Sequence, residues 1–260
     1  MSAWADPLAA TVDALRAAGC VFAEDEARLL LTAARTPADL AGLVRRRAAG
    51  LPLEVLLGWA EFCGVRVAVE AGVFVPRQRT AFLVEQAVAR AWAGTVVLDL
   101  CCGTGALGLA LATALGRLEL HASDLEPAAV RCARRNLAPV GGQVHAGDLY
   151  QPLPATLRGR VEVLVANAPY VPTDAIALMP AEARDHEPRL ALDGGPDGVD
   201  VQRRVAAGAR EWLAPGGSLL IETSRRQAGR TVEAVTGAGL DARVLESAQL
   251  QCTVVVGTDR

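Results

Sequence analysis

Residues 95–112 read TVVLDLCCGTGALGLALA and decide the fold. The apolar run 95–100 ends at a glycine-rich turn, which is typical of a buried strand. Residues 104–115 predict an apolar helix. Between them, the GxGxxG spacing from Gly103 to Gly108 lets the backbone turn tightly and approach a ligand at the helix N-terminus. The segment predicts a strand–loop–helix unit that binds a nucleotide-like ligand.

Alternating strands and helices follow this unit. The predicted strands are 119–123, 143–146, 161–166, 218–223, 242–245 and 253–256. The predicted helices are 127–137, 199–213, which Pro215-Gly216-Gly217 ends, and 226–237. This order is typical of α/β proteins with a mainly parallel sheet covered on both faces. Because no helix separates the last two strands, we predict a Rossmann-like, seven-stranded sheet with an antiparallel last strand.

The part of the chain before this sheet divides into two segments. Residues 1–58 predict a small helical domain, because apolar residues recur at helical spacing and Thr36-Pro37 is typical of a helix start. It carries no catalytic pattern, so we expect it to dock a substrate or partner. Residues 59–78 predict a β-hairpin linker, with alternating apolar residues up to Val75 and a turn at Ala71-Gly72. Residues 79–260 form the predicted nucleotide-binding domain, which starts with a helix at 80–93.

Composition excludes several classes of protein. The formal net charge of -3 gives no electrostatic reason to expect nucleic-acid binding. The six cysteines and three histidines show no metal-ligand spacing, so we expect no metal site. Met1 to Ala10 lack a basic segment followed by an apolar run, and longer apolar stretches are interrupted well short of a membrane span. We therefore expect a cytoplasmic protein without membrane segments.

Three aspartates end three successive predicted strands: Asp99, Asp124 and Asp148. Asp99 can pair with the cationic amino group of a methionine moiety, whereas it would repel a pyrophosphate. Asp124 suits ribose hydroxyls, which a dinucleotide also has, and Asp148 suits an adenine amino group. Each aspartate alone could equally cap a helix N-terminus. Together they favour S-adenosylmethionine over a nicotinamide dinucleotide as the cofactor.

The segment Asn167-Ala168-Pro169-Tyr170 follows predicted strand 161–166, at the sheet edge where α/β proteins bind ligands. An amide nitrogen is a poor nucleophile because its lone pair is delocalised. The Asn167 side-chain oxygen and the Ala168 carbonyl can accept its two N–H bonds and turn the lone pair toward a methyl sulfonium. Tyr170 can pack against the planar acceptor, and Pro169 fixes the backbone. A simple turn at a strand end is the alternative interpretation.

Four further stretches resemble one known family. They are LPLEVLLGWAEFCGVRVAVEAGVFVPRQRT at 51–80, VLDLCCGTGALGLALA at 97–112, HEPRLALDGGPDGVD at 186–200 and SLLIETSRRQAG at 218–229. With segment 167–170, they resemble the HemK-like protein-(glutamine-N5) methyltransferases, class I enzymes that modify the Gly-Gly-Gln loop of peptide-chain release factors. The resemblance implies S-adenosylmethionine as cofactor. It implies a protein glutamine, in a release factor or another protein, as the methyl acceptor.

The resemblance also implies roles for individual residues. The implied cofactor contacts are Cys101, Cys102, Gly103, Thr104, Gly105, Asp124, Leu149 and Asn167, and the implied glutamine contacts are Asn167, Ala168, Pro169 and Tyr170. We also predict that Leu125 contacts the cofactor and that Arg77, Glu187 and Arg189 lie on the substrate side.

Three departures from the family pattern stand close to these positions. Ala168 replaces a proline but keeps the backbone carbonyl. Cys101 replaces a glycine, and we expect a turn of ordinary dihedral angles to tolerate it. Gln78 and Arg79 replace a proline and a glutamate, which reverses a charge near the pocket mouth.

Other functions of the same fold stay open. They are methylation of adenine or guanine amino groups, N-methylation of a small molecule with the helical domain as a lid, and a catalytically inactive S-adenosylmethionine-binding partner. The acidic pI of 5.7 and the absence of a basic, aromatic-interleaved extension disfavour the first. The presence of Asn167 and Tyr170 disfavours the inactive partner.

Overall fold

Four short helices form the N-terminal region of the computed structural model, which describes residues 7–259. They are α1 (Pro7–Ala17), α2 (Ala23–Ala33), α3 (Pro37–Ala48) and α4 (Leu53–Leu57). Leu15, Ala27 and Leu30 are fully enclosed in a small core that these helices share. The Thr36 side chain accepts a hydrogen bond from the Asp39 amide, so the predicted helix start is confirmed. Residues 1–6 of the predicted helical domain, which include most of the segment examined for a signal peptide, lie outside the described residues.

A two-stranded hairpin follows, but it is shorter than predicted. Strands β1 (Trp59–Phe62) and β2 (Val65–Ala68) pair antiparallel. Cys63 and Gly64, at the turn, have φ of 49° and 74°, which suits a tight two-residue hairpin turn. The prediction that strands continue to Val75 around Ala71-Gly72 is wrong. Val73 and Val75 are buried in an extended loop, and their alternate burial produces the same pattern as a strand.

A seven-stranded sheet forms the rest of the framework, as predicted. Its strands are β3 (Val96–Leu100), β4 (Glu119–Asp124), β5 (Gln143–Ala146), β6 (Val161–Ala166), β7 (Leu213–Thr223), β8 (Asp241–Ser247) and β9 (Cys252–Thr258). Their order is β5-β4-β3-β6-β7-β9-β8, and β9 runs antiparallel to both of its neighbours. The mainly parallel sheet with an antiparallel last strand is therefore confirmed.

Helices cover both faces of this sheet. They are α5 (Ala81–Val88), α6 (Ala106–Leu115), α7 (Pro127–Leu137), α9 (Asp200–Trp212) and α10 (Ala228–Gly237). A further helix, α8 (Ala181–His186), lies in the long segment between β6 and α9. Alternate residues of each strand point to opposite faces, so Val97 packs in the core under α5 and α6, whereas Leu98 packs in the core under α9. Within residues 7–259, no helix is both long and apolar enough to cross a bilayer.

Two predicted boundaries are wrong for local reasons. Helix α5 ends at Val88 rather than at residue 93, because residues 92–95 form a turn in which the Trp92 amide donates to Thr95 Oγ1. Strand β7 starts at Leu213 and includes Pro215-Gly216-Gly217, which we expected to lie before it. A register shift opposite Val161 and Val163 accommodates these extra residues in the sheet.

The strand order reverses beside β3. The chain runs outward from β3 through β4 to β5 and then returns to β6 on the other side of β3. Ligands of open α/β sheets bind beyond the carboxyl ends of strands at such a reversal. The loops that follow Leu100 and Ala166 consequently lie side by side, which brings the glycine-rich loop and segment 167–170 to one place.

Candidate functional site

One cavity at this reversal brings together most of the residues singled out from the sequence. The predicted residues that line it are Arg77, Cys101, Cys102, Gly103, Thr104, Asp124, Leu125, Asp148, Leu149, Asn167, Ala168, Pro169 and Tyr170. Four other predicted residues lie behind or beside this lining: Asp99, Gly105, Glu187 and Arg189.

The glycine-rich loop is a tight left-handed turn. Cys101, Gly103 and Gly105 have φ of 55°, 55° and 76°. The expectation that Cys101 needs only ordinary dihedral angles is therefore wrong, and a glycine suits its position because a Cβ is disfavoured in this region. Gly105 also permits close packing, since a Cβ there would lie 3.1 Å from Leu137 Cγ and 3.3 Å from Ala133 Cα.

Asp99 lies beneath this loop in the interior of the protein. Its side chain is fully buried, and Oδ2 accepts a hydrogen bond of 3.2 Å from the Gly108 amide. Among the described residues, Oδ1 has no hydrogen-bond partner. Burial raises the pKa of this carboxyl to about 7, and the nearby Asp124 charge adds to the shift. An unpaired acceptor at this depth fits a cationic ligand group that would satisfy it.

Asp124 holds the loop and the next helix together. Its Oδ2 accepts from the Gly103 amide at 2.8 Å, and Oδ1 accepts from the Glu126 amide at 2.9 Å. The second bond forms a turn just before α7, whose N-cap residue is Glu126, so Asp124 does not cap the helix. Burial raises the pKa of Asp124. Each oxygen retains a lone pair toward the cavity, which leaves acceptors for hydroxyl groups.

Asp148 forms an ion pair across the cavity rim. Its Oδ2 lies 2.6 Å from Arg204 Nη2 on α9, and both residues line the cavity. Sequence reasoning missed Arg204, because nothing in its helical spacing marks the ion pair. The adjacent Leu149 has a φ of 48°, and its carbonyl accepts a 2.8 Å hydrogen bond from Ser123 Oγ.

The Asn167 side chain is oriented by a threonine that the sequence analysis did not single out. Asn167 Nδ2 lies 3.5 Å from Thr80 Oγ1, a long hydrogen bond, and Thr80 is almost fully buried in the lining. When the amide nitrogen donates to Thr80, the Asn167 Oδ1 atom is left as an acceptor. Ala168 follows it in the lining and is buried. The only sequence signal for Thr80 is its place at the end of the run PRQRT.

The stretch HEPRLALDGGPDGVD supports segment 167–170 from behind. The Val171 amide donates to the Leu192 carbonyl at 2.9 Å. A Cβ at Gly194 would lie 2.8 Å from the Pro169 carbonyl oxygen, and one at Gly198 would lie 2.5 Å from the Tyr170 carbonyl oxygen. These glycines let two backbones pack directly together, so the stretch fixes the path of the segment.

Glu187 lies behind the cavity lining and binds Arg77, which is part of that lining. Arg77 Nη2 lies 2.7 Å from both of its carboxylate oxygens, and the Val75 amide donates to Oε1 at 3.3 Å. Burial raises the pKa of Glu187, and the Arg77 charge opposes that shift. Glu187 is thus linked to the cavity through Arg77. Arg189 is exposed and pairs with Asp193 at 3.2 Å, so a substrate-side role for these two residues stays a prediction.

Tyr170 completes the site with both its hydroxyl and its backbone held. The hydroxyl accepts from Arg79 Nη2 at 2.8 Å and donates to Glu222 Oε1 at 3.2 Å. Gln227 Nε2 donates to the Tyr170 carbonyl at 2.8 Å. The charge reversal noted at Arg79 therefore has a buried acidic partner on β7.

Comparison with known proteins identifies the family. The methyltransferase small domain model matches residues 64–183. A release factor glutamine methyltransferase from Geobacter sulfurreducens is 40% identical over 197 residues, which cover 74% of this chain and 68% of that protein. Its counterpart from Mycolicibacterium smegmatis is 40% identical over 233 residues, covering 88% and 82%. The chain belongs to the release factor glutamine methyltransferase family.

Membership in this family confirms the resemblance found in the sequence. The crystal structure of a methyltransferase from Pyrococcus furiosus shares the fold, with a TM-score of 0.56 and 14% identity over 75% of this chain and 89% of that one. As a member of the release factor glutamine methyltransferase family with this fold, the protein is a class I methyltransferase, and its cofactor is S-adenosylmethionine. The acidic groups of the lining, Asp124 and Asp148, fit the hydroxyl and amino groups of that cofactor, and the buried Asp99 adds negative charge behind the glycine-rich loop.

Proposed function

We propose that this enzyme methylates the side-chain amide nitrogen (N5) of a protein glutamine, in the Gly-Gly-Gln loop of a peptide-chain release factor. The observation that carries the proposal is the orientation of Asn167 by Thr80, which leaves two oxygen acceptors in sequence at the cavity wall. The names of the relatives from Geobacter sulfurreducens and Mycolicibacterium smegmatis support the same acceptor.

The cofactor contacts follow from the geometry of the loop. We assign the backbone of residues 101–105 and the side chains of Asp124, Asp148 and Asn167 to the cofactor, with Leu125 and Leu149 packing against it. Asp99, behind this loop, would supply the negative charge that favours the ammonium group. When bound, S-adenosylmethionine supplies an electrophilic methyl carbon on a positively charged sulfur.

The acceptor amide is activated by orientation. Its two N–H groups donate to Asn167 Oδ1 and to the Ala168 carbonyl, so that the nitrogen lone pair points along the line of attack. Attack by this lone pair on the methyl carbon would form the new N–C bond, and the electrons of the methyl–sulfur bond would return to sulfur. The methylated nitrogen then loses one proton to water, so no general base is required.

Tyr170 and the backbone around it keep this geometry rigid. The ring packs against the planar carboxamide and favours the positive charge that develops on nitrogen. Pro169 restricts the backbone between Ala168 and Tyr170. The close approach of Gly194 to the Pro169 carbonyl and of Gly198 to the Tyr170 carbonyl supports the backbone that follows the two acceptor oxygens.

The N-terminal helices serve the protein substrate in this proposal. Arg47 on α3 joins Glu26 on α2 to Glu182 on α8, with distances of 2.6 Å and 3.2 Å. Helix α8 lies between Met179 and Pro188, which both line the cavity. A protein bound to the helical domain would therefore lie next to the segment that borders the acceptor site. Since the proposed substrate acts in translation, we expect the reaction to take place in the cytoplasm.

A transfer assay tests the proposal. Methyl-labelled S-adenosylmethionine is incubated with purified release factor, with the same factor carrying asparagine in place of the glutamine, and with total RNA. We expect label on the glutamine of Gly-Gly-Gln by peptide mapping and none on the substituted factor. Label in RNA alone, or equal labelling of both release factors, contradicts the proposed acceptor.

A further inference from the structure

Three side chains from distant parts of the sequence meet at the Tyr170 hydroxyl. Arg79 stands just before α5, Tyr170 follows β6, and Glu222 lies near the end of β7. The hydroxyl accepts from Arg79 Nη2 at 2.8 Å and donates to Glu222 Oε1 at 3.2 Å. Arg79 Nε lies 3.5 Å from the same carboxylate oxygen. Each of the three groups therefore contacts the other two.

Burial makes the charges of this group interdependent. The Glu222 side chain is only 1% exposed, whereas that of Arg79 is 46% exposed at the cavity wall. The second oxygen of Glu222 has no hydrogen-bond partner among residues 7–259. A buried carboxylate is costly unless a cation compensates it, and Arg79 is its ion-pair partner here. Removal of either charge leaves the other uncompensated.

The position of the pair matters for methyl transfer. Positive charge develops on the acceptor nitrogen during the reaction, and an uncompensated guanidinium beside Tyr170 would oppose it. Glu222 offsets that charge, while the two hydrogen bonds define where the hydroxyl lies. Gln227 fixes the backbone of the same tyrosine, so the ring is held at both ends.

We propose that Arg79 and Glu222 are positioning residues that act as one charge-neutral pair and hold Tyr170 against the methyl acceptor. This inference rests on the proposed function, because the ring is useful only if a planar acceptor packs on it. The pair acts through Tyr170. We therefore expect substitution of either residue to impair catalysis by displacing the ring, and substitution of both residues to impair it no further.

A double-mutant cycle with Arg79→Met and Glu222→Gln tests the pair. We expect each single variant to lower kcat by about ten-fold, because each loses a charge-assisted hydrogen bond to Tyr170. The double variant should lose about as much as one single variant instead of the product of both. Arg79→Lys, which retains the cation, should lose less than Arg79→Met. The KM for S-adenosylmethionine should stay within about two-fold, since the assigned cofactor contacts are unchanged.

The tyrosine itself gives an independent measurement. The chain has two tyrosines, so ¹³Cζ-tyrosine NMR yields two signals, which Tyr150→Phe assigns. Burial and the Glu222 charge raise the pKa of Tyr170 to about 12, while Arg79 opposes the shift. Its titration should begin at lower pH in Glu222→Gln and at higher pH in Arg79→Met. Observation of the tyrosine carbon avoids confusion with the nearby Cys252 thiol, whose pKa burial also raises to about 12.

Arg225 and Glu246 provide a matched control. They form an exposed pair at 2.9 Å, with side chains 74% and 41% exposed, and Arg225→Met should leave both kcat and the Tyr170 signal unchanged. Additive losses in the cycle, or a Tyr170 titration that neither substitution moves in the stated direction, overturn the inference. If the wild-type enzyme labels no glutamine, the proposed acceptor is wrong, whereas the two NMR shifts still decide whether the pair exists.

Discussion

The Asn167 side-chain nitrogen lies 3.5 Å from the hydroxyl oxygen of Thr80, across a gap of 87 residues in the sequence. In this contact the nitrogen end of the Asn167 amide faces Thr80. With the nitrogen directed at Thr80, the oxygen is free to accept an N–H bond. The function proposed for segment 167–170 therefore depends on a residue outside it.

Thr80→Val should lower kcat by about five-fold, because a neutral hydrogen bond that orients the Asn167 amide contributes about 1 kcal/mol. Valine has the shape of threonine but cannot accept the bond. Steady-state kinetics with release factor as acceptor measure the effect. Thr80→Ser keeps the hydroxyl and serves as the control. Equal losses in the two variants would show that packing, and not the hydrogen bond, explains the effect.

Asn167→Ala should lower turnover by at least about a hundred-fold, since it removes one of the two acceptors that orient the reacting amide. Cofactor binding should weaken but remain measurable by calorimetry, because the loop 101–105 and Asp124 are intact. Leu178→Ala, at an exposed position next to the cavity segment, is a control for surface changes. Wild-type turnover in Asn167→Ala would refute the catalytic role assigned to this residue.

Cofactor binding should release a proton from Asp99. The pKa of the free enzyme's carboxyl is raised to about 7, and a bound ammonium group favours the carboxylate and lowers that pKa. Affinity should therefore rise as pH increases up to about 7 and change little above it. Calorimetry in buffers of different ionisation enthalpy counts the protons released.

Asp99→Asn removes the titrating group and provides the comparison for this linkage. The variant should bind S-adenosylmethionine more weakly and without pH dependence between pH 5 and 7, a window set by the shifted pKa of about 7. A carboxyl with a raised pKa binds its proton more tightly in the folded protein than in the unfolded chain, so the cofactor-free wild type should lose stability as pH rises toward 7. The cofactor-free Asp99→Asn variant should lose less stability than the wild type over that range. A wild-type slope in Asp99→Asn would assign the proton to another group.

The sequence predicted the sheet and most of the cavity because both depend on local patterns. Strand periodicity, the glycine spacing and the aspartates at strand ends all reflect contacts within a few residues along the chain or at one edge of the sheet. The same reasoning wrongly predicted a strand at Val73 and Val75, because alternately buried residues in a loop produce the same sequence pattern as a strand. The paired partner that distinguishes them is not visible in the segment itself.

Contacts between distant segments could not be predicted in this way. Tyr170 and Glu222 are 52 residues apart, and Arg79 reaches both from a third segment. The role of Glu187 shows the same limit, since its motif marked it as important but its partners Val75 and Arg77 lie more than a hundred residues earlier. Backbone dihedral angles could not be predicted either, since nothing in the sequence indicated the positive φ of Cys101.

Cys101→Gly should stabilise the cofactor-free protein by about 1 kcal/mol. The left-handed conformation costs a residue with a Cβ about 1–2 kcal/mol, and the greater freedom of glycine in the unfolded chain offsets part of the gain. Urea unfolding should show a higher midpoint with an unchanged slope. Cys101→Ala, which removes the thiol but keeps the Cβ, is the control, and an equal increase in that variant would attribute the effect to the sulfur.

Glu182→Gln should weaken the link between the helical domain and α8 without unfolding either. The Glu182 side chain is 41% exposed, so loss of its ion pair with Arg47 should change the free energy of unfolding by no more than about 1 kcal/mol. The Arg47–Glu26 pair, with both side chains only 10% exposed, would keep the helices together. If α8 aligns a protein docked on the helical domain with the cavity, the KM for release factor should rise several-fold in Glu182→Gln, while kcat at saturation changes little.

Two controls define what this last result means. Asp185→Asn removes another acidic charge from α8, where Asp185 pairs with its neighbour Arg184, and should leave KM unchanged. A short Gly-Gly-Gln peptide, too small to reach the helical domain, should show the same KM with wild type and Glu182→Gln. If the peptide is affected as strongly as the whole release factor, Glu182 acts on the acceptor cavity directly, and the helical domain has no part in the effect.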